Sequence, residues 1–255
     1  MKIRAFTEYS IEGSGIIELS PEESRYLKIL RLFTGDEVEI ISLPHLLYAH
    51  AEISEIKNKI FTIKCGSPAK MFYNKKYIRI IHGITEYEKP ELVIQKCTEL
   101  GIDEIILISS ERSKNIMESK IPKYKKVIQE ALRQSKSYTP TKISTAELNE
   151  DFLNSLVNEY NFSVDTNSPS FENNNIKPAF IVFYQHGEIA GYDFFQKLNG
   201  CSLINAFIGP ESGFSNDEII MFEKVGAEFV SISGNVLRSE TAAVSAAAVL
   251  KIGTA

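Results

Sequence analysis

A chain of 255 residues, 44% apolar and 24% charged, is long enough for one large or two modest domains with real cores. No apolar run approaches the ~18 residues of a membrane helix, and the opening Met1-Lys2-Ile3-Arg4 leads into a strand-like segment, so neither a membrane span nor a signal peptide is expected. Three widely spaced cysteines (Cys65, Cys97, Cys201) and four unclustered histidines indicate no disulfide framework and no metal site; small thiols buried in a reducing cytoplasm are the expectation.

The net charge of −5 conceals a division. Residues 1–72 carry 9 basic and 10 acidic side chains, residues 73–142 carry 14 and 9, and residues 143–255 carry 5 and 14. Between 112 and 142 a series of lysines and arginines meets only Glu118 and Glu130. Such a run is ordinarily a solvated helix face; concentrated in one segment of an acidic protein, it is also a candidate for phosphate contact, RNA in particular.

In chain order, alternation predicts strands over 2–6 and 15–19. Ser20-Pro21-Glu22-Glu23 then supplies a cap, a proline in the first turn and a glutamate three residues after the cap, opening a helix over 22–32 that stops before Gly35-Asp36. Strands follow over 37–42, 48–56 and 60–65. One helix among short strands suggests a small β-barrel with the helix plugging an end. Residues 66–76 read as a linker between a first domain, 1–72, and a second, 73–255.

The grammar then changes to strand–helix alternation. Strands are predicted over 77–83, 103–108, 162–164, 179–184, 203–208 and 227–231, and helices over 90–100, 122–136, 216–225 and 242–252. The last two helices are expected to be capped by Ser215, in a capping box with Glu218, and by Ser239. Residues 166–177 read as an exposed loop. This order implies an α/β fold with a mostly parallel sheet covered on both faces.

Two turns stand out. Gly209-Pro210-Glu211-Ser212-Gly213 follows a buried-type strand and precedes a capped helix, the place where open α/β sheets bind ligands. Ser233-Gly234-Asn235-Val236-Leu237-Arg238-Ser239-Glu240 precedes the alanine-rich last helix. Helix starts with unpaired N–H groups suit polar ligands. A plain βα turn, an Arg238–Glu240 ion pair and an i,i+3 pair of Lys96 with Glu99 are the structural alternatives.

IQKCTELGIDEI, SSERS, QEALRQS, IGPESGF and LRSETA, in this order and spacing, closely resemble the bacterial 16S ribosomal RNA uridine-N3 methyltransferases of RsmE type, in the SPOUT superfamily. RYLKILRLFTGDEVEI, with Arg4, resembles the family's PUA-like β-barrel. The resemblance implies a SPOUT-type α/β domain with a C-terminal trefoil knot, preceded by that barrel, which binds RNA. It implies S-adenosylmethionine as cofactor, no metal, 16S rRNA or the small ribosomal subunit as partner, a cytoplasmic location, and a homodimer through the knot region, to which the small-residue face of 242–248 is suited. Cofactor contact is implied for Tyr184, Gly209, Pro210, Glu211, Gly213, Ile232, Ser233, Val236, Leu237 and Ser239. Arg238 is implied as the catalytic residue, with Glu240 orienting it. RNA contact is implied for Arg4, Arg25, Arg31, Arg112, Lys114 and Lys136. The chain departs from the family pattern at Ser212 and Ser233, where glycine is usual, at Asn235 and Ser137, where arginine is usual, at Tyr26 for histidine and at Glu86 for lysine. These departures keep two alternatives open: an RNA-binding homologue with weak or lost catalysis, and a methyltransferase for another RNA site.

Overall fold

The computed structural model describes residues 3–13, 15–72, 76–84, 90–113, 118–162 and 178–254. Lys114, Glu86 and the predicted loop over 166–177 lie outside these residues. The chain forms two compact units, Met1–Phe72 with Arg133–Pro140, and Tyr73–Leu132 with Thr141–Ala255. The division drawn from sequence at residue 72 leaves out 133–140, which pack with the first unit.

The first unit contains β1 (Ile3–Thr7), β2 (Ile16–Glu18), α1 (Pro21–Ile29), β3 (Glu37–Ser42), β4 (Leu47–Lys57), β5 (Ile60–Cys65) and β6 (Ala69–Lys70). The strands form one sheet in the order β1-β3-β4-β5-β2, with β6 on β4. β1 runs parallel to β3 and the other pairs are antiparallel. Alternating apolar residues supply the core, with Leu27 of α1 packed among Ile40, Ile53 and Ile63. The Ser24 hydroxyl of α1 accepts from the Phe61 N–H of β5 at 3.1 Å, fixing helix to sheet. Ser20 caps the helix by accepting from the Glu23 N–H at 3.2 Å. The Glu23 carboxylate does not return to the cap. It accepts from the Phe6 N–H at 3.1 Å and pairs with Arg133 at 2.7 Å. α1 is shorter than predicted, because Arg31 adopts φ 59° and the Asp36 carboxylate accepts from the Phe33 N–H, closing the chain into a turn.

Arg4, expected toward RNA, is only 1% exposed. β1 and β3 place Arg4 opposite Glu39, and the two form a buried pair at 2.5 Å. Arg4 also donates to the Lys136 and Ser137 carbonyls and lies 4.5 Å from the Tyr138 ring centroid. A charge removed from water persists only when it is paired and hydrogen-bonded, so these bonds hold the side chain inside. It tethers residues 136–138 to the first unit and is not presented to RNA.

The second unit contains β7 (Tyr77–Gly83), α2 (Pro90–Glu99), β8 (Glu104–Ser109), a 3-10 turn (Glu118–Lys120), α3 (Ile121–Ser135, its last three residues counted with the first unit), β9 (Lys142–Glu147), α4 (Glu150–Phe162), β10 (Ala179–Ile189), α5 (Tyr192–Leu198), β11 (Leu203–Ile208), α6 (Asn216–Lys224), β12 (Glu228–Ser231) and α7 (Ser239–Gly253). The sheet is parallel throughout, in the order β12-β10-β11-β7-β8-β9. β7 and β11 are buried at every position, as strands covered on both faces must be. On one face Ile81, Ile106 and Phe207 pack with Leu153 and Leu156 of α4 and Phe222 of α6. α7 packs on β7, β11 and α2.

Two expectations are corrected. Phe162, expected in a strand over 162–164, is the last residue of α4, and 163–164 lie outside the described residues. α7 begins at Ser239 with Arg238 as its cap residue and no side-chain capping bond, so Ser239 is the first residue of the helix rather than its cap. Within the small-residue stretch 242–248 of α7, Ala243, Ala246 and Ala247 are at 0% exposure and pack within the chain, while Ala242 and Ala248 are half-buried.

Candidate functional site

The chain leaves β11 at Ile208 and, through α6, reaches β12, which lies beyond β10 in the sheet. The carboxyl ends of β11 and β12 therefore flank β10, and the loops leaving β11 and β12 enclose, with the middle of β10, a cleft of about 170 Å³. Phe183, Tyr184 and Gln185 of β10 form one wall. The stretch 208–214 forms the second, and Ser231–Ser233, Asn235–Leu237, Ser239 and Ala242 the third.

The first turn is built from its sequence. Gly213 has φ +69°, and its N–H donates to the Pro210 carbonyl at 2.8 Å, a closure that glycine permits without strain. A side chain at Gly209 would press on Gly213 Cα at 3.3 Å, so the backbone itself forms the cleft wall here. Behind the turn lies β7: a Cβ on Gly83 would come 2.7 Å from Pro210 Cδ. Ser215 and Glu218 form the expected capping box, each bonded to the other's backbone N–H at 3.2 and 2.7 Å. Glu218 is 3% exposed, and its other oxygen accepts from the Glu111 N–H at 2.8 Å.

The second turn is held by serines. The Ser231 hydroxyl donates to the Ser233 carbonyl at 2.8 Å, and the Ser233 hydroxyl accepts from the Asn235 N–H at 3.1 Å. The N–H groups of Val236 and Leu237 have no partner among the described residues. Backbone donors in a cleft seek a ligand or water. Val236 is 80% exposed, an apolar side chain at the lip.

All ten residues expected at the cofactor lie in the lining of this one cleft: Tyr184, Gly209, Pro210, Glu211, Gly213, Ile232, Ser233, Val236, Leu237 and Ser239. Arg238 and Glu240 do not line it. Arg238 is exposed, Glu240 half-buried, and neither the anticipated ion pair nor any bond orienting Arg238 through Glu240 is present among the described residues. Arg25, Arg31 and Arg112 are exposed, whereas Lys136 is half-buried with its ammonium pKa lowered, first by burial and then by the charge of Arg4. The Lys96–Glu99 pair forms at 2.9 Å. Sequence reasoning missed the walls Phe183, Gln185, Ile208 and Phe214, and the second bond of Glu218. Gln185 could have been found had β10 been carried beyond 184, since the strand continues to Ile189.

The RNA methyltransferase domain family matches residues 73–251. The chain is 26% identical over 257 residues to the ribosomal RNA small subunit methyltransferase E 2 of Borreliella burgdorferi, spanning 98% of this chain and 97% of that protein. It is 26% identical over 224 residues to the ribosomal RNA small subunit methyltransferase E of Rickettsia conorii, spanning 88% and 80%. A solved structure of ribosomal RNA small subunit methyltransferase E from Neisseria gonorrhoeae, bound to S-adenosylmethionine, is similar in fold with a TM-score of 0.79 at 16% identity, over 99% of this chain and 98% of that one.

Proposed function

This chain belongs to the RNA methyltransferase domain family, and we propose that it transfers a methyl group from S-adenosylmethionine to N3 of a specific uridine in the 16S rRNA of the small ribosomal subunit. The observation that carries the reading is the cleft between the middle of β10 and the carboxyl ends of β11 and β12, which lies inside the matched stretch and gathers the two motif turns. Relatives named for small-subunit ribosomal RNA methylation support the substrate, and the S-adenosylmethionine bound by the Neisseria protein supports the cofactor.

The residues present suit that cofactor. Phe183, Ile208, Phe214 and Ala242 give apolar walls for an adenine ring, the free N–H groups of Val236 and Leu237 give donors for its nitrogens, and Glu211 gives a carboxylate toward a cation. When bound, S-adenosylmethionine supplies an electrophilic methyl group on a sulfonium. Uracil N3 carries a proton and has little basicity until that proton leaves, so the protein must favour the anion. Arg238 is free to stabilise charge on the uracil carbonyls, and in this reading Glu240, at the start of α7, orients it once the RNA is bound. In this reading Arg25, Arg31, Arg112, Lys114 and Lys136 contact the RNA.

The same reading makes residues 1–72 a PUA-like, RNA-binding β-barrel and 73–255 a SPOUT methyltransferase domain with a C-terminal trefoil knot. The single-helix sheet of the first unit and the passage from β11 to β12 beyond β10 support it. A cytoplasmic homodimer follows from the resemblance; Val236 and Ile252, each 80% exposed, are apolar surface in the knot region that a second copy could cover.

Mass mapping of 16S rRNA nucleosides from a deletion strain tests the reading. Loss of one 3-methyluridine, restored by the gene, is expected, and unchanged 3-methyluridine would sink it. Arg238→Ala should cut turnover by about two orders of magnitude or more while moving cofactor affinity less than about threefold. Equal losses in both would make Arg238 structural. Asn235, which lines the cleft where the family carries arginine, favours the alternative of an RNA-binding homologue with lost catalysis. Calorimetry showing RNA binding without cofactor affinity would establish that alternative.

A further inference from the structure

The loop that follows β8 is fastened to the turn that follows β11 by two hydrogen bonds, and to α6 beyond that turn by a third, across about a hundred residues of sequence. Arg112 Nη1 donates to the Ser212 carbonyl at 3.1 Å, and the Ser212 hydroxyl donates back to the Arg112 carbonyl at 3.3 Å. Beside them the Glu111 N–H donates to buried Glu218 at 2.8 Å. Ser212 lines the cleft, so Arg112 is anchored at its rim. Its guanidinium is exposed and holds no other bond among the described residues, leaving most of its N–H groups available. The hydroxyl half of this exchange exists only because serine stands where the resembling family has glycine.

We propose that Ser212 is a positioning residue that latches Arg112 to the rim of the cleft, where the guanidinium grips a backbone phosphate of the RNA beside the nucleotide to be methylated. The inference rests on the reading of the protein as an RNA methyltransferase. A guanidinium fixed by one bonded nitrogen loses less freedom on gripping phosphate than a loose one, and its fork matches two phosphate oxygens where a lysine offers a point charge. The latch thereby couples two jobs that the sequence keeps apart: the turn that walls the cleft also sets the register of the RNA. Phosphate contacts position a nucleic acid without reading its sequence, so the latch governs placement of the target and not its identity.

The test uses the full chain, small ribosomal subunits from a deletion strain as methyl acceptor, and a 16S rRNA transcript for equilibrium binding over a range of salt. Arg112→Gln should raise the KM for subunits about tenfold and leave the cofactor Kd within about twofold, the loss expected for one charge-assisted bond. It should also lower the slope of log affinity against log salt by about one, as for one phosphate contact removed. Arg112→Lys should restore the salt slope but only part of the KM. Ser212→Gly, which keeps the charge and the carbonyl bond, should raise KM by about threefold with the salt slope unchanged. An unaltered slope in Arg112→Gln overturns the proposal, as does a cofactor Kd that weakens by the same factor as KM, since the pair would then merely hold the cleft wall. If the wild type binds the transcript but transfers no methyl group to subunits, the proposed reaction fails, and the slope of Arg112→Gln still decides the phosphate contact.

Discussion

His82 is 0% exposed, and both ring nitrogens lack a hydrogen-bond partner among the described residues. It sits in β7 between Ile208 of β11 and Leu107 of β8, and burial lowers its pKa to about 4. An unfolded chain protonates this residue near pH 6.5, so between there and about 4 the unfolded state binds a proton that the native state refuses. The group therefore leaves stability intact above pH 6.5, withdraws it as pH falls toward 4, and changes nothing further below that. Between pH 7.5 and 4.5 the loss is about 2.5 kcal/mol. Urea denaturation of the wild type and His82→Leu at these two pH values isolates it, because the carboxylates titrate alike in both. The variant should lose less stability on acidification by about that amount, and equal losses would mean that His82 finds a partner in solution. At neutral pH the variant should be no less stable, since unsatisfied buried polar atoms cost about 1–3 kcal/mol. Arg4 shows the opposite outcome for a buried polar side chain, neutralised by Glu39 and by two carbonyls. The one-letter sequence offered no means of telling Arg4 inside from Arg238 outside, because the distinction depends on the register of β1 against β3 and on where α7 begins.

Among the elements, β7 has the most direct hold on the cleft. A Cβ at Gly83 would lie 2.7 Å from Pro210 Cδ and 3.0 Å from Pro210 N, and neither a proline ring nor a backbone nitrogen can rotate aside. Gly83→Ala should displace the turn after β11, at a cost of about 1–3 kcal/mol as for other overpacked sites, with cofactor affinity falling about tenfold or more. Thermal unfolding and calorimetry with S-adenosylhomocysteine read the two effects, and a variant with unchanged affinity would show that the turn accommodates the methyl group elsewhere. β7 and β11 were legible over their full length, 77–83 and 203–208, because a strand buried on both faces is rich in apolar residues even where Arg79, His82 and Asn205 interrupt them. β9 and α4 were not. β9 is an edge strand with mostly half-buried positions, and its KISTAE segment lacks an apolar run. α4 announces itself through Asn149, whose side chain accepts from the Phe152 N–H, followed by the acidic pair Glu150-Asp151, a start signal left unread. α5 spans only seven residues and has no side-chain cap, so its one turn of apolar spacing had nothing to distinguish it from a loop. Of the site, the two turns were legible through their glycines and helix starts and Tyr184 through the family resemblance, whereas Phe183 and Gln185 became visible only when strand order brought β10 between the turns.

At the scale of the whole chain the charge is unevenly spent, and this carries a prediction of its own. Residues 73–142 have an excess of basic side chains in a protein whose last 113 residues hold 14 acidic and 5 basic ones. Part of that excess is already engaged: Arg79 pairs with Glu104 at 2.6 Å, Arg133 with Glu23, and Lys123 with Glu91. Lys120 and Lys125 are different, since both are exposed and neither holds a hydrogen bond among the described residues. α3 turns its apolar residues Tyr124, Ile128, Ala131 and Leu132 inward, and Lys125, at the flank of that face, is exposed to solvent. Exposed lysines of this kind contribute little to folding, so the double variant Lys120→Gln/Lys125→Gln should keep its stability within about 0.5 kcal/mol. Its affinity for the 16S rRNA transcript should fall, and the slope of log affinity against log salt should drop by about one to two, because each phosphate contact releases its share of counterions. Glu188→Gln, an exposed carboxylate of β10, alters net charge by one unit in the favourable direction and should leave that slope unchanged. A double variant with the wild-type slope would mean that the basic segment is a solvated face and that RNA is held elsewhere, whereas a slope changed equally by Glu188→Gln would assign the effect to net charge. Only a loss confined to the lysine variant makes the basic stretch around Lys120 and Lys125 a phosphate-binding surface, and that is the outcome the uneven charge predicts.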